Sequence, residues 1–425
     1  MSRGDPMPVL GEQLKRDGRP DLAFISHCLP YPLTKGEKIR CYHLITHLAK
    51  SYRVHLGCLI NDPADWTHIT YLRTICAEVA AFGIDRRIQK LKALARLRPG
   101  RPLMLDYYFH PGLRRWVDRT VAQGSIEIIF IFSAAMAPYA LHLERGGKIL
   151  DMVDIDSQKW AAYAQKARGP MRRVWAREAR TLLAYERYAA MACDMTFFVT
   201  EAETRHFAEL APETADRLTW IENGVDLDRF SPAIAFASPY SGAGPHLVFT
   251  GNMDYWPNAD AVIWFAEQVL PRLRTRLAGA QFHIVGNNPG PEVKRLVRYA
   301  GVEVTGRVPD TRPYVAHADA SVNPLRMARG VQNKVLEAMA LGRPVIASPQ
   351  AFEGIRATAG RDLLVAEDAD ETVRAIIAVV EGQYPDLGGN ACRVIEQRYR
   401  WPAVLGKLDA CLARSLRPQP PKSAS

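Results

Sequence analysis

The stretch Gly330-Val331-Gln332-Asn333-Lys334-Val335-Leu336-Glu337 gathers glycine, amides, a cation and a carboxylate, and Gly342 followed by the apolar run 345–348 closes it. The first backbone N–H groups of a helix have no partner inside it. Gly330, Val331, Gln332 and Asn333 can therefore present amides to a phosphate, with Lys334 adding positive charge. Glu337 lies one turn past Lys334 on the same face, where its carboxylate can accept hydrogen bonds from the hydroxyls of a sugar. A diphosphate joined to a ribose suits that set; an ordinary Lys/Glu surface pair, worth only ~0.3 kcal/mol, is the competing reading.

Three further groups of residues carry chemical types worth placing. His27, Gly36, Lys38 and Arg40 follow the first apolar run, Leu22 to Ser26. Asp154 and Asp156 follow another, and two carboxylates at i and i+2 can hold a divalent cation, cap a helix or contact an acceptor. Asp151 beside them leaves the spacing ambiguous. His43 and His47, four apart on a helix, have no third metal ligand of suitable type nearby in the sequence and read as a surface or core pair.

These residues need elements to position them, and the pattern is α/β. Apolar runs at 54–60, 79–84, 126–133, 148–153 and 195–199 alternate with helical stretches, which predicts a parallel sheet with ligands at the carboxyl ends of its strands. By that rule His27, Gly36, Lys38 and Arg40 stand at the mouth of a cleft. The segment 230–245 turns to Ser, Gly, Pro and Ala, a linker composition. Beyond it the grammar repeats: 247–250 runs into Gly251-Asn252, 282–285 into Gly286-Asn287, and 302–305 into Gly306-Arg307. Three strands that end in glycine let a ligand approach the backbone closely. The organisation read from the chain is a flexible lead-in (1–20), a first Rossmann-like domain (21–228), a linker (229–245), a second Rossmann-like domain with the nucleotide-type site (246–395), a C-terminal helix expected to pack back toward the first domain (396–415) and a disordered tail (416–425).

At 425 residues and 48% hydrophobic, the chain has material for two or three domains with substantial cores. Its seven cysteines are scattered without a C-x-x-C pair, which argues against a disulfide framework or a zinc site and fits a reducing cytosol. Neither an export-type leader nor a membrane-spanning run is visible. The net charge of +10 concentrates between Arg86 and Arg119, interleaved with leucines, Trp116 and Tyr107-Tyr108-Phe109. That mixture fits either a surface that touches anionic lipid or a solvated basic face, and no nucleic-acid-binding motif accompanies it.

The segments FTGNMDYWPN (249 to 258), GVQNKVLEAMALGRPVIAS (330 to 348), FEG (352 to 354) and ENGVDLDRFSP (222 to 232) resemble family 4 of the glycosyltransferases. PYPLTKGEKIR (30 to 40) and DMVDIDSQKWAAYA (151 to 164) resemble more narrowly the sugar transferases associated with PEP-CTERM/exosortase exopolysaccharide clusters of Gram-negative bacteria. The resemblance implies a GT-B fold, two Rossmann-like domains facing a central cleft. It also implies metal-independent transfer of a sugar from a nucleoside diphosphate to a lipid-linked glycan, on the cytoplasmic side of the inner membrane, with no cofactor besides the donor.

By matching position, Glu337 would bind the donor ribose, Gly330 to Asn333 the diphosphate, Gly251 and Asn252 the phosphate or sugar end, and Arg307 and Val308 the base. Gly36 would close against the diphosphate from the first domain. Lys38 and Arg40 would contact the acceptor, and His27, Asp154 and Asp156 are the candidates for proton removal. One departure stands out: the family's glutamate eight residues before Glu337 is Arg329 here, a residue suited to phosphate or to an acidic sugar. Two other readings are a GT-B epimerase and a non-catalytic nucleotide-sugar-binding scaffold. The oligomeric state stays open.

Overall fold

The computed structural model describes residues 17–96, 98–328 and 330–415; the tail expected over 416–425, most of the lead-in expected over 1–20 and Arg329 lie outside the described residues. The chain divides into two compact units. One holds the residues up to Ile221 and those from Leu405 onward, the other Glu222–Val404.

The first unit runs β1 (Asp21–Ser26), α1 (Gly36–Leu48), β2 (Arg53–Ile60), β3 (Glu78–Gly83), α2 (Arg86–Ala95), α3 (Leu103–Tyr107), α4 (Pro111–Gln123), β4 (Ile126–Phe132), β5 (Gly147–Val153), α5 (Asp156–Lys166), α6 (Pro170–Ala192), β6 (Met195–Phe198) and β7 (Leu218–Trp220), with a further helix at Glu201–Leu210 and shorter helical turns between. The strands form one sheet in the order β3-β2-β1-β4-β5-β6-β7, each pair parallel. Parallel strands covered on both faces need near-continuous apolar sequence, and β1 and β2 are buried along their whole length. The order reverses direction between β1 and β4, the switch point where sheets of this kind bind ligands.

The second unit repeats the plan with β8 (His246–Thr250), α7 (Trp256–Trp264), β9 (Gln281–Val285), β10 (Val302–Gly306), β11 (Ala320–Asn323), α8 (Asn333–Ala340), β12 (Val345–Ala347) and β13 (Leu364–Val365). Its parallel sheet has the order β10-β9-β8-β11-β12-β13, with the switch point between β8 and β11. Strand β11 is missing from the sequence reading because two of its four residues, Ser321 and Asn323, are polar although buried.

The basic segment 86–119 divides in two, which corrects its reading as one exposed aromatic and cationic surface. Its second half is α4, whose Leu113, Trp116 and Val117 belong to the core of the first unit. Trp116 Nε1 donates to Glu78 Oε1 at 2.8 Å, and Gly57 in β2 makes room for the ring, since a Cβ there would lie 2.3 Å from it. Within this segment the exposed large apolar residues among those described, Ile88 and Leu91, are on α2. Among the described residues no helix is long and apolar enough to cross a membrane.

Candidate functional site

In the second unit the chemistry gathers at the carboxyl ends of β8 to β11. Strand β8 leads into Gly251, whose N–H donates to Val285 O at 3.0 Å, so the ends of β8 and β9 are tied together. A Cβ on Gly286 would lie 1.6 Å from Gly251 O, and one on Gly251 would lie 2.7 Å from Asn258 Nδ2 and 3.1 Å from Lys334 Nζ. Gly286 is therefore required by close approach to backbone, and a side chain at Gly251 would displace Asn258 and Lys334. Lys334 Nζ donates to Asn258 Oδ1 at 2.6 Å and sits 4.1 Å from the centre of the Phe249 ring, while Asn258 Nδ2 donates to Asn252 O at 2.9 Å. A neutral amide and an aromatic face thus hold the ammonium.

That setting is poor in countercharge. Burial pulls the pKa of Lys334 down to about 7, against an opposing pull from Glu337. Burial likewise pushes the Glu337 carboxyl up to about 7, against Arg229 and Lys334. Helix α8 begins after Gly330, which adopts φ 67°, and no side chain caps it among the described residues. The Asn333 side chain accepts from Asn223 Nδ2 at 3.0 Å, and Gln332 Nε2 donates to Gly330 O at 3.2 Å. Val331 is buried beside them. Arg307 and Val308 follow Gly306 at the end of β10, on the same rim. The structure thus brings Gly251, Asn252, Lys334 and Glu337 to one corner. It adds three residues that the sequence reading did not single out: Asn258, Phe249 and Arg229. Asn258 stands in the quoted FTGNMDYWPN segment, which was the available signal.

In the first unit the corresponding rim follows β1, β4 and β5. The His27 ring stacks on Phe132 (centroids 5.6 Å apart, planes 5° apart) and meets the edge of Tyr108 at 5.5 Å. Its Nδ1 is buried without a hydrogen-bond partner among the described residues. Ser133 and Val153, at the ends of β4 and β5, adopt φ 80° and 68°. A β-branched residue in that region is strained by about 1–3 kcal/mol. Asp151 holds both: its carbonyl accepts from Ser133 N at 2.7 Å and its carboxylate from Val153 N at 3.1 Å.

Lys38 and Arg40 require a correction. Both are buried, and their charges are taken inside the protein. Lys38 Nζ binds both oxygens of Asp65 at 2.8 and 2.7 Å. Arg40 forms a two-pronged pair with Asp151, 2.8 Å from Nε and 3.2 Å from Nη2, and Nη1 donates to Ile221 O at 2.8 Å. Neither presents its charge to an acceptor. Lys159 Nζ pairs with both Asp154 and Asp156, at 2.8 and 3.1 Å. Ser157 N and Oγ, at the start of α5, donate to Glu186 at 3.1 and 2.5 Å, and burial pushes that carboxyl up to about 8. Gly36 opens α1, whose N-terminus has no side-chain cap.

Residues 244–382 match the family model described as glycosyl transferases group 1. All of that match lies in the second unit, and the Gly251, Lys334 and Glu337 corner lies within the matched residues. No curated protein matches the chain by sequence. Among solved structures it is similar to a sucrose-phosphate synthase from Thermosynechococcus elongatus (TM-score 0.69, 17% identity, covering 94% of this chain and 99% of that one). It is also similar to Anabaena HepE in complex with UDP-glucose (0.66, 14%, 92% and 99%) and to WaaG, a glycosyltransferase involved in lipopolysaccharide biosynthesis (0.62, 14%, 92% and 99%). At such identities the likeness establishes the fold: two Rossmann-like α/β units of the GT-B type, with the residues that match the family model in the second.

Proposed function

We propose that this chain transfers a sugar from a nucleoside diphosphate to a lipid-linked glycan presented at an anionic membrane face, in exopolysaccharide assembly of the PEP-CTERM/exosortase type. The observation that carries the reading is the corner of Gly251, Asn258, Lys334 and Glu337 within the residues that match the family model. A cation with one neutral hydrogen-bond partner is poised for a dianionic diphosphate, whose charge would restore its proton. The uncapped amides of α8 add donors for the same group. Charge grows on the departing diphosphate as the sugar bond breaks, and donors fixed beforehand stabilise it without a metal. Glu337, held near neutrality in the free protein, would receive the ribose hydroxyls.

For the acceptor hydroxyl, His27 is the base we favour, because its Nδ1 has no hydrogen-bond partner among the described residues and its ring packs against Phe132 and Tyr108. Asp154 and Asp156, already paired with Lys159, stand second. Asn252, Arg307 and Val308 are proposed for the sugar end and the base of the donor, and Gly36 for the diphosphate. Arg329 is proposed for phosphate or an acidic sugar.

The test is turnover with a panel of UDP- and GDP-sugars and detergent-solubilised lipid-linked glycan, in EDTA. Uracil nucleotides head the panel because HepE was solved with UDP and UDP-glucose. Expected is nucleotide release that requires acceptor, that disappears in Glu337→Ala, and that falls in His27→Gln while donor affinity is kept. Release without an enlarged acceptor would favour an epimerase-like reaction. Binding without release, with an authentic acceptor present, would favour a scaffold.

A further inference from the structure

Helix α2 is amphipathic in an inverted sense. Its inward positions are Gln89 and Ala93, 3% and 4% exposed, and Gln89 Nε2 donates to Phe109 O at 3.1 Å. Its apolar Ile88 and Leu91 face outward, 50% and 68% exposed. They are three residues apart, on one side of the helix, among the exposed Arg86, Arg87, Lys90 and Lys92. The start of α6 repeats the arrangement: Met171 and Val174, again three apart and 46% and 38% exposed, flank Arg172 and Arg173.

The two faces are linked. Arg177 Nη2 on α6 donates to Arg101 O at 3.1 Å, and Glu178 accepts from the N–H groups of Leu103 and Met104 at 2.9 and 3.0 Å. The chain leaving α2 is thereby fastened to α6 about one turn beyond Val174. The acids in this region are engaged within the chain. Asp85 accepts from Arg87 N and Ile88 N, Asp106 pairs with Arg101, and Glu178 caps α3. The outward surface is left apolar and cationic.

A soluble protein gains nothing by turning Ile88, Leu91, Met171 and Val174 toward water, and cations ringing apolar side chains are what an interface of anionic headgroups over acyl chains accommodates. We propose that the outward face of α2 and the first turns of α6 form one docking surface for an anionic phospholipid bilayer. The inference rests on the reading that the acceptor is lipid-linked. It replaces the continuous segment 86–119 by two separated helix faces.

The test is co-sedimentation of the full chain with vesicles of phosphatidylcholine, with and without phosphatidylglycerol, at low and high salt. Binding should require phosphatidylglycerol and weaken with salt. Arg172→Gln with Arg173→Gln should lower partitioning by roughly fivefold per charge, and Ile88→Ser with Leu91→Ser should abolish most of what remains. The substituted positions are exposed, and circular dichroism checks that each variant is folded.

Equal sedimentation of the wild type and the four-site variant would overturn the proposal, as would absence of binding to phosphatidylglycerol vesicles. Self-association seen by sedimentation velocity, removed by Ile88→Ser with Leu91→Ser and accompanied by no vesicle binding, would overturn it in favour of a contact between copies of the chain. Calorimetric titration with UDP is run on the same samples. Failure of the wild type to bind vesicles while it binds UDP would refute the docking surface alone, and vesicle binding by a wild type that does not bind UDP would refute the donor site alone.

Discussion

The two units present the same kind of rim, the carboxyl ends of a parallel sheet at its switch point, and use charge there in opposite ways. In the second unit Lys334 has a neutral hydrogen-bond partner, Asn258, and we propose that a ligand's charge completes its setting. In the first unit Lys38, Arg40 and Lys159 are engaged with Asp65, Asp151 and the Asp154/Asp156 pair, and His27 Nδ1 is left without a hydrogen-bond partner among the described residues. A cation near the start of a helix that follows a strand can thus be left for a ligand or be a structural strut, and its partners decide which.

Substitutions should separate the two roles. The largest effect is expected from Arg40→Ala, which leaves Asp151 buried and uncompensated. Unfolding in urea should show about 3–5 kcal/mol of lost stability. Lys334→Met should show no such loss and should instead abolish nucleotide affinity; equal destabilisation by both would erase the distinction.

Next comes Gly251→Ala. Its Cβ would press on Asn258 Nδ2 and Lys334 Nζ, and UDP affinity measured by calorimetry should fall at least tenfold, about 1.4 kcal/mol, with the melting temperature little changed.

A pH effect follows from the Lys334 and Glu337 pair. The folded state resists protonation of Lys334, so the unfolded chain binds more protons between about 7 and the ordinary 10.5, and stability should rise with pH across that window. The folded state holds the Glu337 proton longer, so between the ordinary 4.5 and about 7 this group's contribution should fall as pH rises. The pair contributes least near pH 7. In Lys334→Met the alkaline rise should vanish from a series of melting temperatures; its persistence would assign the rise to other groups.

The smallest effect is expected from Val153→Gly. Relief of the left-handed backbone should stabilise the fold by about 1 kcal/mol, after the entropic cost of glycine is subtracted. A loss of stability would show that the Val153 side chain contributes more by packing than its backbone costs.

Much of this was readable in the chain. The strands that end at Gly251, Gly286 and Gly306, and the helix between Gly330 and Gly342, are local patterns, and local patterns report local structure. Helix α4 and strand β11 were harder. Trp116 and Leu113 sit among arginines and read as surface until Gly57 of a distant strand is seen to receive the ring. Ser321 and Asn323 hide a buried strand behind polar side chains. The roles of Lys38 and Arg40 were out of reach because Asp65 and Asp151 stand 27 and 111 residues away, and nothing at position 38 or 40 marks a partner that distant. Asn258 lay nearer, inside a segment that the resemblance had already picked out, and Lys334 read alone did not demand it.

The central claim, that the second unit keeps Lys334 undercharged until a diphosphate arrives, is tested most directly by titrating UDP at pH 8 in buffers of different ionisation enthalpy. The account predicts an apparent binding enthalpy that changes with the buffer in proportion to net proton uptake, and loss of that dependence in Lys334→Met. Tight binding with the same enthalpy in every buffer, unaltered in Lys334→Met, would contradict it.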